Sequence, residues 1–216
     1  VESPAVAARW NNNVQALVEG IGLGIPANNS SDPRHGTIAN AEYNAGAGGA
    51  ISMWPNSLGI AATFEPDRMR GFGAIASMEY RAMGIATALS PQIDLATEPR
   101  WYRFNGTFGE DPQLGADMAR AYVDGFQTSN GGMDISGGWG YQSVNAMVKH
   151  WPGGGTGEGG RDAHYGYGKY AVYPGHAFET HLIPFVEGAF DLKGGTGMAS
   201  AVMPYYTISY NQDTKN

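Results

Sequence analysis

Short apolar runs and helix-like stretches alternate along the chain. Apolar runs that end in polar or charged residues lie at residues 84–95, 144–150 and 197–206. Runs of this length and composition are typical of buried strands. An earlier apolar stretch at residues 24–26 leads into the polar residues 31–36 and raises the number of predicted strands to about four.

Amphipathic patterns between these runs predict helices at residues 7–19, 62–83, 111–127 and 176–190. Two of them carry helix-start signals, because Pro66 lies near the start of the second and Asp111 precedes a proline at the start of the third. Alternating strands and helices predict parallel strands with right-handed crossovers, which is an α/β architecture. The pattern alone leaves open whether the sheet is open or closes into a barrel.

The number of units suggests an incomplete barrel. Four βα units are about half of an eight-stranded barrel, which needs roughly 250 residues. The chain of 216 residues starts within a helical pattern and stops in a polar tail soon after a predicted strand. We therefore expect it to be part of a larger domain.

The amino-acid composition excludes some classes of binding partner. The hydrophobic content of 42% with 15% charged residues is that of a globular protein. A net charge of -7 without a Lys/Arg run gives no positive surface for nucleic acid, and no apolar run approaches the roughly 20 residues that cross a bilayer. Without cysteine there is no disulfide or thiolate metal site, and we expect no metal and no cofactor.

The carboxyl ends of the predicted strands carry many charged and aromatic side chains. Functional groups of parallel α/β folds collect at these ends. The residues found there are Asp32, Arg34, His35, Glu98, Arg100, Arg103, Lys149, His150, Tyr205 and Tyr206.

Lys149 and His150 follow directly on an apolar run, so a buried hydrogen-bonding role is predicted for both. Asp32 precedes a proline and could instead serve only as a turn residue or helix cap. These readings differ in where the side chains point, which the pattern does not fix.

Arg103 and the pair of Asp162 and His164 each allow a functional and a purely structural interpretation. Arg103 could bind a ligand or simply pair with Glu110 or Asp111. Asp162 and His164 are two residues apart in a glycine-rich loop, a spacing that suits a carboxylate orienting an imidazole for acid/base chemistry. A solvated loop explains the same two residues equally well.

Specific motifs appear in two segments. The sequence SPQIDLATEPRWYR at residues 90–103, followed by GTFGEDP at residues 106–112, resembles the D-P-R-W-G-R and F/Y-x-E-D-P motifs of glycoside hydrolase family 3. The sequence KHWPGGG at residues 149–155, followed by GRDAH at residues 160–164, is similar to the K-H-F/W loop of the family and its later arginine. Tyr102 departs from the pattern, because the common motif has glycine there.

The resemblance implies that residues 1–216 are part of the N-terminal catalytic domain, a (β/α)8 TIM-like barrel of which about four βα units are present. It further implies a retaining exo-β-glycosidase, most simply a β-glucosidase, which would bind β-linked glucosides or oligosaccharides. In the pocket, Asp32 would hold the outer hydroxyls of the terminal sugar and Tyr206 would lie beside the reacting centre. The further hydroxyl ligands implied by the resemblance are Arg103, Lys149, His150 and Arg161.

The catalytic carboxylates are not assigned. Retaining glycosidases need a nucleophile and an acid/base carboxyl about 5 to 5.5 Å apart. The resemblance implies a nucleophilic Asp on the strand after the one that ends at Tyr206, and Asp213 follows no apolar strand. We expect the remaining part of the same enzyme to supply both groups, and residues 1–216 alone to be inactive.

Two alternatives stay open within the resemblance. One is a β-N-acetylhexosaminidase of the same family, whose acid/base dyad Asp162 and His164 would supply, although Gly154 stands where that branch has histidine. The other is a sugar-binding relative without a nucleophile. An exported location, periplasmic or secreted, is expected for an enzyme of this type, and the sequence leaves a homodimer open.

Overall fold

The computed structural model describes residues 3–36, 50–131 and 136–212. Its helices are α1 (Pro4–Glu19), α2 (Ser57–Ala61), α3 (Pro66–Ala82), α4 (Pro112–Gln127) and α5 (Phe178–Ile183), which a π-helical turn at Pro184–Ala189 continues. Its strands are β1 (Ser30–Ser31), β2 (Thr87–Ala88), β3 (Ser129–Asn130), β4 (Ser136–Gly138), β5 (Asn145–Trp151), β6 (Tyr170–Ala171), β7 (Ala201–Pro204) and β8 (Ile208–Ser209). Short 3-10 turns lie at Phe104–Gly106, Gly154–Thr156, Glu158–Gly160, Gly166–Gly168 and Pro174–His176. None of the described helices combines the length and apolar character that crossing a bilayer requires.

Four parallel strands form the main sheet in the order β1-β2-β5-β7. Ala88 of β2 pairs with Ser31 of β1 on one side and with Ala146 of β5 on the other, and Val148 of β5 pairs with Val202 of β7. Two small pairs complete the strands, β3 with β4 antiparallel and β6 with β8 parallel. The predicted α/β class with about four parallel strands is confirmed.

Element boundaries differ from the predicted ones where the backbone turns left-handed. The strand predicted from residue 24 onward exists but begins later, because Gly24 has a φ of 68° and pairing begins only at Ser30 in β1. The helix predicted to begin at residue 62 is α3, which begins at Pro66, since Phe64 has a φ of 55°. The helix predicted to begin at residue 176 is α5, which begins at Phe178, because His176 has a φ of 60°.

Helix α4 begins where the sequence predicts. The side chain of Asp111 accepts a hydrogen bond from the backbone N–H of Leu114 at 2.7 Å, and Pro112 occupies the first turn, where a missing N–H costs no helical hydrogen bond. The cap fixes the direction of a helix whose inner face is almost entirely buried.

Helices α3 and α4 cross closely because both carry glycine at the crossing. A Cβ atom at Gly125 would lie 2.5 Å from the carbonyl oxygen of Arg70 and 3.1 Å from the Cα of Gly73. The rings of Tyr122 and Phe126 stack beside this point with centroids 4.9 Å apart. The helix pair thus covers the sheet with an aromatic layer that leaves no room for a side chain at the crossing.

We expect Gly125→Ala to lower the free energy of unfolding by about 1 to 3 kcal/mol, the usual cost of overpacking, in spite of the higher helix propensity of alanine. The matched control is Gly71→Ala in α3, where nothing lies within 4 Å of the added Cβ. That change should raise stability by up to about 1 kcal/mol. Thermal unfolding of the two variants of the full-length protein tests the contrast, and equal effects would contradict the close crossing.

Candidate functional site

A pocket of about 720 Å³ opens at the carboxyl ends of the parallel strands. Six of the eight residues to which the resemblance gave a role line it, namely Asp32, Arg103, Lys149, His150, His164 and Tyr206. Parallel strands end at one edge of a sheet, so residues far apart in the chain meet there. The structure therefore brings most of the candidate residues together.

Lys149 and Asp32 form an ion pair in the pocket wall. The lysine lies near the carboxyl end of β5 with only 5% of its side chain exposed, and its Nζ donates to Asp32 Oδ1. Burial lowers the pKa of Lys149 below its ordinary value, while the charge and hydrogen bond of Asp32 oppose that shift. The carboxylate is 21% exposed and so stays accessible from the pocket. Asp32 thus does more than form a turn.

His150 is held from both sides of its ring. Its Nδ1 lies 2.9 Å from Asp94 Oδ2, and its Nε2 lies 3.2 Å from Arg103 Nη2. The predicted burial of His150 and Lys149 is confirmed, with 4% of each residue exposed. Gln92 braces the arginine, because its amide donates to the carbonyl of Arg103 at 3.3 Å and its Oε1 lies 3.5 Å from Arg103 Nη2.

Sequence reasoning assigned no role to Asp94 or Gln92. Both lie within the apolar run at residues 84–95, and both are buried, with 3% exposed. A carboxylate inside such a run is the signal that could have found Asp94, because buried charges need partners. Arg103 contacts Gln92 and His150 rather than its alternative partners Glu110 and Asp111, and Asp111 caps α4 instead.

Asp162 is buried behind His164. It accepts hydrogen bonds from Trp101 Nε1 at 2.9 Å and from the backbone N–H of His164 at 3.0 Å, and it also bonds His164 Nδ1. Burial by itself would raise the pKa of Asp162, but these hydrogen bonds outweigh it and hold that pKa below its ordinary value. The His164 ring lines the pocket and meets the ring of Tyr206 edge to face, with centroids 5.2 Å apart. For Asp162 the solvated-loop reading is wrong.

Arg161 lies away from the pocket. Its side chain is 54% exposed, and its Nη1 lies 3.6 Å from Glu158 Oε2. The backbone of Arg161 is extended, so successive side chains point to opposite faces, and the next one, Asp162, points inward. The structure therefore does not bring Arg161 to the other predicted hydroxyl ligands. Asp213 lies outside the described residues.

Exposed aromatic side chains form the mouth of the pocket. Tyr102, Tyr165 and Tyr206 line it with 68%, 54% and 63% of their surface exposed. Aromatic rings offer a flat apolar surface beside a polar tip. The departure at Tyr102 therefore adds a wall to the pocket.

The charged wall of the pocket can bind a ligand rich in hydroxyl groups. Lys149 and Arg103 offer charged donors and Asp32 offers a charged acceptor, and hydrogen bonds to charged groups are the stronger kind. Each hydroxyl of a sugar can donate one hydrogen bond and accept others. Within residues 3–36, 50–131 and 136–212, no three His, Asp or Glu side chains form a group that could hold a metal ion.

Comparison with known proteins finds relatives along the whole chain. The family model for the glycosyl hydrolase family 3 N terminal domain matches residues 1–207. The chain is 43% identical over 210 residues to a periplasmic beta-glucosidase/beta-xylosidase of Dickeya chrysanthemi and 42% identical over 200 residues to beta-glucosidase C of Emericella nidulans. These alignments cover 97% and 93% of this chain, which spans 30% of the length of each relative.

Solved structures share the fold. A β-glucosidase from Erythrobacter marinus superposes with a TM-score of 0.73 at 27% identity, covering 94% of this chain and 24% of that one. A β-glucosidase involved in saponin metabolism from intestinal bacteria gives a TM-score of 0.71 at 26% identity, covering 97% of this chain and 24% of that one.

The ion pair of the pocket predicts a pH-dependent stability. Asp32→Asn removes the charge that supports protonated Lys149, so the pKa of Lys149 falls further below its ordinary value. The unfolded state then binds more protons than the folded state, and stability rises with pH until the unfolded lysine deprotonates. We expect the loss in melting temperature to shrink as pH rises from about 7 to about 10, near the ordinary lysine pKa.

The control is Asp117→Asn, because Asp117 pairs with Arg120, whose guanidinium keeps its proton throughout this range. Its loss in melting temperature should stay constant. Melting curves of the full-length protein at several pH values measure both variants, and a constant loss for Asp32→Asn would contradict the role of the pair.

Proposed function

Because this chain belongs to glycosyl hydrolase family 3, whose N-terminal domain is a TIM-barrel-like α/β fold, we propose that the full-length protein is a retaining exo-β-glycosidase. Its substrates are β-linked glucosides or oligosaccharides, and its main activity is that of a β-glucosidase. The pocket of this chain holds the terminal non-reducing sugar.

The observation that carries the proposal is the convergence of Asp32, Lys149, Arg103 and His150 in one pocket wall. These four side chains come from three separate segments, and each is fixed by a neighbour rather than left mobile in solvent. Fixed charged groups bind a ring of hydroxyls without having to be ordered on binding, which favours affinity.

The relatives support the choice of substrate. The Dickeya chrysanthemi protein is named for glucosidase and xylosidase activity, and the Emericella nidulans protein for glucosidase activity. A glucoside and a xyloside differ by one hydroxymethyl group, so one pocket can take both. The Dickeya relative is also named periplasmic, which supports an exported location for this protein.

We propose that residues 1–216 supply the sugar-binding part of the active site and that the catalytic carboxylates belong to other residues of the full-length protein. Double displacement needs two carboxyl groups about 5 to 5.5 Å apart. Asp32 is the one carboxylate in the pocket wall among the described residues, and Lys149 already engages it. The further units of the barrel would pair with the outer edges of β1 and β7, which lie at the two ends of the sheet formed by the described strands.

The hydrogen bond between Asp162 and His164 favours a second candidate, a β-N-acetylhexosaminidase. In that reading the carboxylate orients the imidazole, and the imidazole serves as acid/base at the pocket. The names of the relatives at 42–43% identity favour the glucosidase. A sugar-binding protein without catalysis is a third outcome of the tests below.

We expect Asp32→Ala to lower kcat/KM for an aryl β-glucoside by at least about 100-fold, since hydroxyl bonds that strengthen in the transition state are worth several kcal/mol together. Asp117→Ala, which removes an acidic side chain on α4 outside the pocket, serves as control and should keep its activity. The full-length protein is assayed on aryl glucoside, xyloside and N-acetylglucosaminide. Glycoside hydrolysis is disproved if the native protein cleaves none of the three.

His164→Ala separates the two enzymatic candidates. For a β-glucosidase we expect a modest loss of activity, because His164 would only contact the substrate. For the acid/base dyad the loss should be about 10²- to 10⁴-fold and should be rescued by a leaving group that needs no proton. The comparison of a good and a poor aryl leaving group therefore decides between them.

A further inference from the structure

We propose that Asp94 is a positioning residue that holds His150 as a neutral imidazole with its proton on Nδ1. His150 Nε2 then accepts a hydrogen bond from Arg103 and so fixes the guanidinium that lines the pocket. The nature of the ligand rests on the proposed function, whereas the state of the imidazole follows from the side chains around it.

The carboxylate of Asp94 depends on His150. Its side chain is fully buried, and within the described part of the chain it accepts two hydrogen bonds. Both come from His150, one from the backbone N–H at 3.2 Å and one from Nδ1 at 2.9 Å. A buried carboxylate without donors is costly, so a proton is required on Nδ1.

The other ring nitrogen faces a group that can only donate. Arg103 Nη2 lies 3.2 Å from His150 Nε2, and a guanidinium has donors and no acceptor. A proton on Nε2 would point at the guanidinium, so Nε2 keeps its lone pair. Together the two neighbours select one tautomer of the neutral ring.

The other residues near Asp94 do not compete for this role. Burial lowers the pKa of His181 to about 4, so this imidazole is uncharged near neutral pH. Burial raises the pKa of Tyr205 and that of Tyr173, so both stay neutral. The ring of Tyr205 packs on the His150 ring with centroids 5.0 Å apart and helps to fix its plane.

Gly154 provides the space that Asp94 occupies. A Cβ atom at residue 154 would overlap Asp94 Oδ1. A side chain at this position therefore has to displace the carboxylate that orients His150.

The accepting nitrogen has a consequence for the ligand. Arg103 engages the single lone pair of Nε2, so His150 acts on the pocket through the guanidinium that it orients. Lys149 and Arg103 can only donate to hydroxyl oxygens, and Asp32 accepts while paired with the lysine. We infer that Asp94 and His150 together fix the direction in which Arg103 offers its remaining N–H groups to the terminal sugar.

Neutron diffraction from crystals of the full-length protein tests the imidazole directly. We expect deuterium on Nδ1 of His150 and none on Nε2. Deuterium on Nε2 would overturn the proposal. This measurement does not depend on activity, so it decides the state of His150 even if the protein hydrolyses no glycoside and the proposed function fails.

Asp94→Asn tests the effect on binding. An amide cannot accept both hydrogen bonds from His150, so we expect kcat/KM on an aryl β-glucoside to fall by about 10- to 100-fold, the usual effect of losing a hydrogen bond to a charged group. The control is Asp124→Asn, a buried carboxylate outside the pocket that bonds Arg70 and the backbone N–H of Gly194. Both variants should lose thermal stability, and equal losses of kcat/KM would overturn the proposal.

A double-mutant cycle adds a signature that a general loss of order would not produce. If Asp94 acts through His150 on Arg103, the losses of kcat/KM in Asp94→Asn and Arg103→Ala should be less than additive when the two changes are combined. Fully additive losses would show that Asp94 does not act through His150.

Gly154→Ala provides a second route to the same state if Asp94→Asn folds poorly. It should displace the carboxylate and lower kcat/KM as Asp94→Asn does, with the same less-than-additive effect beside Arg103→Ala. Gly166→Ala in the same loop is its control, because nothing lies within 4 Å of the added Cβ. A Gly154→Ala enzyme with native kinetics would contradict the position of the Asp94 carboxylate beside Gly154.

Discussion

The pairing of one buried cation with one carboxylate governs the arrangement of the pocket. Lys149 lies near the carboxyl end of the long strand β5 with its side chain almost fully buried, and such a charge needs a partner at contact distance. Asp32 follows β1, which lies two strands away in the sheet. The ion pair therefore spans the end of β2 and holds the loop after β1 over the sheet.

The lining of the pocket changes from charged side chains around this ion pair to exposed aromatic side chains at the mouth. The buried wall carries Lys149 and His150, and the exposed mouth carries Tyr102 and Tyr206. Fixed charges in the wall can select a ring by its hydroxyls, whereas aromatic faces at the mouth tolerate many groups. Under the proposed function, this arrangement would make binding strict for the terminal sugar and permissive for the group attached to it.

Glycine allows the close backbone approaches on which this arrangement rests. Gly73 and Gly125 let α3 and α4 cross over the sheet, and Gly154 leaves room for the carboxylate of Asp94. A Cβ at Gly155 would overlap the carbonyl of Leu95, so this loop too lies directly on the segment after β2. The same residue type thus serves packing at the helices and side-chain placement at the pocket.

The sequence by itself determined the α/β class, the start of α4 at its Asp–Pro cap and the gathering of charged residues at strand ends, because periodicity and capping are local properties. Only the tertiary structure decided which of those charges share a pocket. Arg161 and Asp162 are neighbours in one motif, yet an extended backbone sends their side chains to opposite faces. Asp94 lies in an apolar run, and its partner His150 is 56 residues away. Direction and partnership depend on strand register and loop path, which no local pattern contains.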